Sequence, residues 1–97
     1  MTDQELLELS AKAAGYKYAK NGGYIVVDGI PGNWNPLTND DDAFRLAVQL
    51  FRDIHFWYFE NSVSVGNELR VVCGDDPCTA TRLAIVRAAA EIGRNMK

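Results

Sequence analysis

The stretch Trp34–Val48, which reads WNPLTNDDDAFRLAV, decides the local fold more than any other part of this chain. Pro36 closes an irregular loop, and either Thr38 or Asn39 can cap a helix that follows. Three aspartates then fill the first turn, where negative charge stabilises a helix N-terminus. Apolar residues follow at i, i+3, i+4 and i+7, namely Ala43, Leu46, Ala47 and Leu50. This spacing predicts an amphipathic helix that runs to about Arg52.

Two further helices flank this central one in the sequence. Thr2 and Glu5 have the spacing of a capping box, which predicts a helix over Asp3–Ala14 that ends at Gly15. Near the other end, the pair Asp76-Pro77 places a side-chain acceptor before a proline at the first helical position. That pair predicts a last helix that runs to about Arg94.

The remaining segments have the composition and alternation of β-strands. Tyr16–Ala19 and Tyr24–Val27 are predicted to form a hairpin around the turn Asn21-Gly22-Gly23, whereas glycines and prolines favour an irregular loop over Asp28–Pro36. An antiparallel meander is predicted for three later segments: Ile54–Phe59, Ser62–Val65 and Leu69–Cys73. The expected fold is therefore α+β, with one domain over residues 1–97, an antiparallel sheet of four or five short strands, and three helices packed on it, on both faces. The expected order is α-β-β-α-β-β-β-α.

The charge balance and the amino terminus limit the classes of function. The 97-residue chain has a formal net charge of −3 and a pI of about 5.0. This balance disfavours a sequence-independent nucleic-acid binder, which needs a basic surface. The polar, acidic start lacks the pattern of a signal peptide, and no apolar run has the ~20 residues that span a bilayer. These features favour a protein of the host-cell cytoplasm, with no membrane partner.

The function depends on whether both faces of the aromatic strand Ile54–Phe59 are covered. His55, Trp57 and Phe59 alternate with Ile54, Phe56 and Tyr58, so both faces of the strand carry bulky side chains. Either both faces are covered, or one face binds a partner. In the second case, aromatic residues would be interaction anchors, and an uncovered face would favour a homodimer over a monomer.

Two segments also carry a resemblance to a known family. The loop and helix of Asn33–Val48, together with the closing helix Ala80–Arg94, are similar to motifs of the phage ABA sandwich domain, a family of small phage and prophage proteins. The order of elements agrees along nearly the whole chain. The resemblance implies an α+β sandwich and a phage origin, but no established activity and no catalytic residues. Phage proteins of this size often bind and block host proteins, including immune effectors, which suggests by analogy a host-defence inhibitor.

The residues that could carry chemistry have more ordinary explanations. The aspartates Asp40–Asp42 could bind a cation, but consecutive helical carboxylates diverge by ~100°, so helix stabilisation is the better interpretation. Cys73 and Cys78 have four residues between them, unlike a redox motif, and with His55 they supply only three N or S donors for zinc. A pairing of His55 with either thiol stays open. No catalytic residue, metal or cofactor is therefore predicted.

Four functions are consistent with these sequence features. The leading hypothesis is a non-enzymatic phage accessory protein that binds a host or phage protein, with a speculative contact set of Trp34, Asp40, Asp41, Asp42, Trp57, Tyr58, Asp75 and Asp76. The first alternative is a nucleic-acid or nucleotide-binding module that uses exposed aromatic residues and four arginines: Arg70, Arg82, Arg87 and Arg94. The others are a structural domain without activity of its own and a cysteine-dependent enzyme.

Overall fold

The computed structural model describes residues 2–19, 24–27, 29–50, 54–57, 59–66 and 70–96. The described residues form three helices and six strands, which confirms the α+β class. In chain order they are α1 (Asp3–Ala14), β1 (Lys17–Ala19), β2 (Tyr24–Val27), β3 (Ile30–Asn33), α2 (Asp40–Leu50), β4 (Ile54–Trp57), β5 (Ser62–Val65), β6 (Val71–Val72) and α3 (Pro77–Arg94).

The strands form two antiparallel sheets rather than the single sheet predicted. Within the described residues, the first sheet has the order β1-β2-β3 and the second has the order β4-β5-β6. The observed order of elements is therefore α-β-β-β-α-β-β-β-α. The sequence pattern identifies strands and their nearest hairpins, but it does not show that α2 separates the strands into two groups.

The prediction of an irregular loop over Asp28–Pro36 is wrong for the four residues in its middle. Ile30–Asn33 forms β3, with Val27 opposite Ile30 and Val26 opposite Pro31. A proline is tolerated here because β3 is an edge strand, where one side of the strand needs no ladder hydrogen bond. Gly29 has φ +79°, and the Asp-Gly pair between two apolar segments is itself a hairpin signal.

The starts of the three helices and the ends of α1 and α3 agree with the sequence prediction. Thr2 and Glu5 form the capping box of α1, with the Glu5 amide donating to Thr2 Oγ1 at 3.1 Å. Asn39 rather than Thr38 supplies the cap of α2, since Asn39 Oδ1 accepts from the Asp42 amide at 2.9 Å. Asp76 caps α3, and Pro77 occupies its first position.

The core is built around α3. This helix contacts α1 most extensively, and it also packs on α2, β5 and β6. Its buried face consists mostly of small residues, with the alanines at positions 80, 84, 88, 89 and 90 all buried. Gly93 allows the closest approach, because a Cβ atom at this position would lie 1.9 Å from the Leu9 carbonyl oxygen of α1.

The second sheet has one face on the helices and one face toward solvent. Val63 and Val65 of β5 are fully buried on the side of α3. Ile54 and Phe56 share that side by register, because Ile54 lies opposite Val65 and Phe56 opposite Val63. His55 on the other face is exposed and Trp57 is half-buried. The expectation that helices cover both faces is therefore wrong for this sheet.

Several sequence predictions lie outside the described residues. They concern the turn Asn21-Gly22-Gly23, the end of α2 near Arg52, the anchor Tyr58 and the strand residue Leu69.

Replacing Gly93 by alanine tests whether the contact of α1 with α3 depends on a missing side chain. We expect Gly93→Ala to lower the free energy of unfolding by about 1–3 kcal/mol, because the new methyl group must displace backbone atoms. This loss should appear although alanine favours a helix interior by ~1 kcal/mol over glycine. Urea denaturation followed by circular dichroism measures the change.

The matched control is Gly32→Ala in β3, where an added Cβ would meet no atom within 4 Å. Its free energy of unfolding should stay within about 0.5 kcal/mol of the wild-type value. Equal effects of the two substitutions, or a more stable Gly93→Ala protein, would refute the close-packing explanation.

Candidate functional site

An apolar groove opens to the surface between α2, β4 and the first turns of α3. Its volume is about 440 Å³, within the ~300–1,000 Å³ range of small-molecule pockets. We call it the α2–β4 groove and define it by six lining residues: Phe44 of α2, Ile54 and Phe56 of β4, and Pro77, Cys78 and Ile85 of α3. Its walls therefore come from three elements that the core already holds in place.

Large aromatic side chains at the groove are unusually exposed. Phe44 is 67% exposed and Phe56 is 63% exposed, although both rings are wholly apolar. The exposure of Phe44 follows from helix geometry, because Ala43, Leu46 and Ala47 form the buried stripe of α2 and Phe44 lies beside it. Val48, one turn further on, is also exposed. Contiguous apolar surface of this kind is typical of a binding site.

The acidic residues lie at the end of the groove where α2 and α3 both begin. Asp40 lines the groove, and Asp76 immediately precedes the lining residue Pro77. Asp41 and Asp75 are their exposed neighbours in the sequence. Since helix N-termini attract negative charge, these residues also stabilise the two helices.

Asp42 has a structural role rather than a contact role. Its carboxylate accepts a hydrogen bond from the Asn35 amide at 2.9 Å, and its side chain is half-buried. Asn35 Oδ1 in turn accepts from the Leu37 amide at 3.0 Å. These bonds fix the loop that leads into α2. The predicted contact residue Asp42 is therefore partly withdrawn from the surface.

Arg82 joins the starts of α2 and α3. Its guanidinium group donates to the Leu37 carbonyl at 3.0 Å, to Thr79 Oγ1 at 2.9 Å, and to the Asp40 carboxylate. Only 16% of the Arg82 side chain is exposed, whereas 70% of the Asp40 side chain is exposed, so water screens the ion pair from the Asp40 side. The groove end is thus held by hydrogen bonds from one planar cation.

Asp76 belongs to the same network through Thr79. The Thr79 hydroxyl donates to Asp76 Oδ2 at 2.5 Å, and the Thr79 and Cys78 amides donate to Asp76 Oδ1 at 3.3 and 3.1 Å. Hydrogen bonds to the charged form, led by that of the Thr79 hydroxyl, hold the pKa of Asp76 below its usual value. The cap is therefore strongest when Asp76 is ionised.

The solvent face of the second sheet carries a fixed aromatic group. The Arg70 guanidinium lies 3.5 Å from the centroid of the Trp57 ring, a cation–π contact. Trp57 Nε1 donates to Ser64 Oγ at 3.1 Å, and the His55 ring lies 4.1 Å from the Trp57 ring. Trp57 is therefore a rigid, half-buried platform on the opposite side of β4 from the groove.

Trp34 does not serve as a surface anchor. Only 5% of its surface is exposed, and the rings of Tyr16 and Tyr18 contact it edge-on at centroid distances of 5.8 and 6.1 Å. The fully buried Pro36 lies close to it in the sequence. This placement corrects the sequence prediction, because the motif that contains Trp34 uses the indole to anchor a loop on the core.

His55 and the two cysteines lie on different sides of the second sheet. Cys78 lines the α2–β4 groove, and the half-buried Cys73 packs against the core. His55 contacts Trp57 on the solvent face. The structure thus does not bring the imidazole to either thiol. Among the residues that the structure describes, no cluster of three acidic, cysteine or histidine side chains could hold a metal ion.

The four arginines proposed for nucleic-acid binding do not form one basic surface. Arg82 is engaged by Asp40, Arg94 lies 3.6 Å from Glu91, and Arg70 lies 3.8 Å from Glu60. Arg87 is exposed on α3. Because nucleic-acid affinity depends on cations free to neutralise phosphates, this arrangement weakens the nucleic-acid hypothesis.

The sequence analysis did not include Phe44, Phe56 or Cys78 in the predicted contact set, although all three line the groove. One signal was present: Phe44 falls outside the stripe of apolar residues that predicts α2, so a helical projection places it away from the core. No sequence pattern indicates where β4 lies relative to α2 and α3, because this placement depends on tertiary packing.

Comparison of this chain with protein-family models, curated proteins and solved structures finds no match. The resemblance to the phage ABA sandwich domain therefore stays a prediction. Within the described ranges, none of the helices has the length and apolar character required to cross a membrane.

The lowered pKa of Asp76 predicts how stability depends on pH. A carboxyl whose pKa is lower in the folded than in the unfolded state stabilises the fold above the unfolded value, and loses this effect as the pH falls through the folded value. Wild-type protein should therefore exceed Asp76→Asn in free energy of unfolding at pH 7, and the difference should shrink as the pH falls below the usual aspartate pKa of 3.8. Urea denaturation over a series of pH values from 7 downward measures it.

Asp75→Asn is the matched control, since it removes a neighbouring carboxylate but leaves the α3 cap intact. A difference between wild type and Asp76→Asn that stays constant with pH would show that the charge of Asp76 does not contribute to the cap.

Proposed function

We propose that this protein acts by binding another protein through the α2–β4 groove, as a small phage or prophage accessory protein without catalytic activity. The observation that carries the proposal is the exposure of Phe44 and Phe56 on two walls of one apolar groove. Each fully buried phenylalanine contributes ~1.5–3 kcal/mol relative to an exposed one. Covering both rings with a partner would therefore contribute a favourable free energy of this order for each ring.

The surroundings of the groove support a contact surface. Phe44 stands on a helix anchored by the buried Leu46, and Phe56 stands on a strand paired with the fully buried Val63. Side chains held by rigid elements lose little conformational freedom on binding, so more of the contact energy appears as affinity. Aromatic residues that enter or form pockets are also typical energetic centres of protein interfaces.

The distribution of reactive groups agrees with a function in binding. Cys78 lines the groove, but the only histidine of the sequence faces the opposite side of β4. A cysteine nucleophile is usually activated by an adjacent base, and His55 is not in reach of this role. The groove therefore offers shape and apolar surface for recognition.

The phage origin and the target class rest on the sequence resemblance. Small phage proteins commonly block host proteins by occupying a functional surface, which needs a stable scaffold and one contact site but no catalysis. A host-defence protein is the target class that we propose by this analogy. The groove is the contact site that we propose for such an inhibitor.

Paired substitutions test whether the groove binds a protein. Immobilised wild-type protein, Phe44→Gln and Phe56→Thr are each exposed to lysate of a bacterial host, and bound proteins are quantified by mass spectrometry. Both substitutions keep residues suited to their helix or strand. We expect a specific protein whose retention falls at least about tenfold in both variants, which corresponds to ~1.4 kcal/mol.

Ile30→Thr is the matched control, because Ile30 of β3 is 71% exposed and apolar but lies outside the groove. This variant should retain the same protein as wild type, and circular dichroism should show that all four proteins are folded. Retention that does not change in Phe44→Gln and Phe56→Thr would contradict the proposal, as would the absence of any captured protein.

A further inference from the structure

β4 lies at an edge of the second sheet. In the described part of the second sheet, β4 is the outer strand of the order β4-β5-β6. An outer strand presents a row of backbone N–H and C=O groups that can pair with an added strand. Proteins usually protect such edges with lysine, proline, a bulge or a very short strand.

The other sheet edges have such a feature, whereas the four described residues of β4 include no lysine, proline or bulge. The edge strand β1 contains Lys17, β3 contains Pro31, and β6 has only two residues. By contrast, β4 reads IHFW, with neither lysine nor proline, and it pairs with β5 in an unbroken register over its whole length. The unprotected edge is therefore the one that borders the α2–β4 groove.

The two sides of an added strand would meet different surfaces. Alternate side chains of a strand point to opposite faces of the sheet, as Ile54 and Phe56 do relative to His55 and Trp57. Side chains on the face of Ile54 and Phe56 would enter the groove toward Phe44 and Ile85. The others would lie on the solvent face beside Trp57, which Arg70 and Ser64 hold in place.

The negative charge at the groove end favours a basic residue in the segment that binds there. Asp40, Asp41, Asp75 and Asp76 are exposed where α2 and α3 begin. Arg82 offsets part of this charge, but its guanidinium is already bonded to Asp40, to Thr79 and to a backbone carbonyl. A segment that carries lysine or arginine next to its apolar residues would complement this acidic end.

We infer that the groove binds an extended segment of the partner protein that adds a strand to the free edge of β4, with alternate apolar residues in the groove and a basic residue beside the acidic end. This inference rests on the proposed function, and it names the conformation and charge of the bound segment. Strand addition is a common mode of peptide recognition, in which backbone hydrogen bonds give affinity and pockets for alternate side chains give specificity.

Synthetic peptides test the inference without knowledge of the partner. The probe is a capped peptide in which valine and threonine alternate over seven residues, with two lysines at each end. Two further peptides carry N-methyl groups on one or the other alternate set of residues, which removes hydrogen-bond donors but keeps the side chains. Another replaces the lysines by glutamates, and the last has leucines at helical spacing.

Occupancy of the groove is measured through Cys78. In a Cys73→Ala variant, Cys78 is the one remaining thiol, and it lines the groove, so a bound peptide should slow its alkylation. We expect saturable protection by the lysine-flanked strand peptide. The peptide whose N-methyl groups replace the donors that face β4 should bind at least about tenfold more weakly than the parent peptide. The peptide with N-methyl groups on the other set should bind within about threefold of the parent. The glutamate-flanked peptide should also bind more weakly, and Phe56→Thr should reduce protection.

Four results would overturn the inference. Equal protection by the parent and both N-methylated peptides, or tighter binding of the helical peptide, would show that the bound segment is not a strand. If no peptide at about 1 mM protected Cys78 from alkylation, the inference would also be wrong. Dimers in sedimentation equilibrium that Phe56→Thr dissociates would show that a second copy covers β4. In each case the capture experiment with Phe44→Gln and Phe56→Thr still decides the proposed function separately.

Discussion

The close contact between α1 and α3 is the constraint on which the other parts of the structure depend. Gly93 and the alanines of α3 let α1 approach until backbone lies against backbone, and the same helix also supports α2, β5 and β6. With α3 fixed in this way, its first turns become the floor between α2 and β4. The groove therefore lies where the start of α3 meets α2 and the second sheet, and its β4 wall is held through pairing with β5.

The helices were predictable from the sequence because their signals are local. The capping box of Thr2 and Glu5, the Asp76-Pro77 start and the stripe of Ala43, Leu46 and Ala47 each depend on neighbouring residues alone. The hairpin that forms β3 had a local signal as well, but the prolines and glycines around Gly29 favoured a loop. The division into two sheets had no local signal, since it depends on where α2 lies in the folded chain.

The candidate site was less predictable than the fold for the same reason. The sequence singled out the aromatic strand and the aspartates at two helix starts, and the structure brings Asp40, Phe56 and Pro77 to one groove. It could not separate Trp34, which anchors a loop in the core, from Trp57, which remains half-buried on a sheet face. Both are aromatic residues near turns, and only tertiary contacts distinguish them.

The phenylalanines of α2 and β4 that line the groove are open to solvent and do not belong to the core. Hydroxyl-radical footprinting with mass spectrometry measures this difference, because the modification rate of a side chain follows its exposure to solvent. Corrected for intrinsic reactivity, Phe44 and Phe56 should be modified much faster than the buried Trp34 and Leu46. Protection of Phe56 to the level of Trp34 in the isolated monomeric protein would show instead that this ring is part of the core.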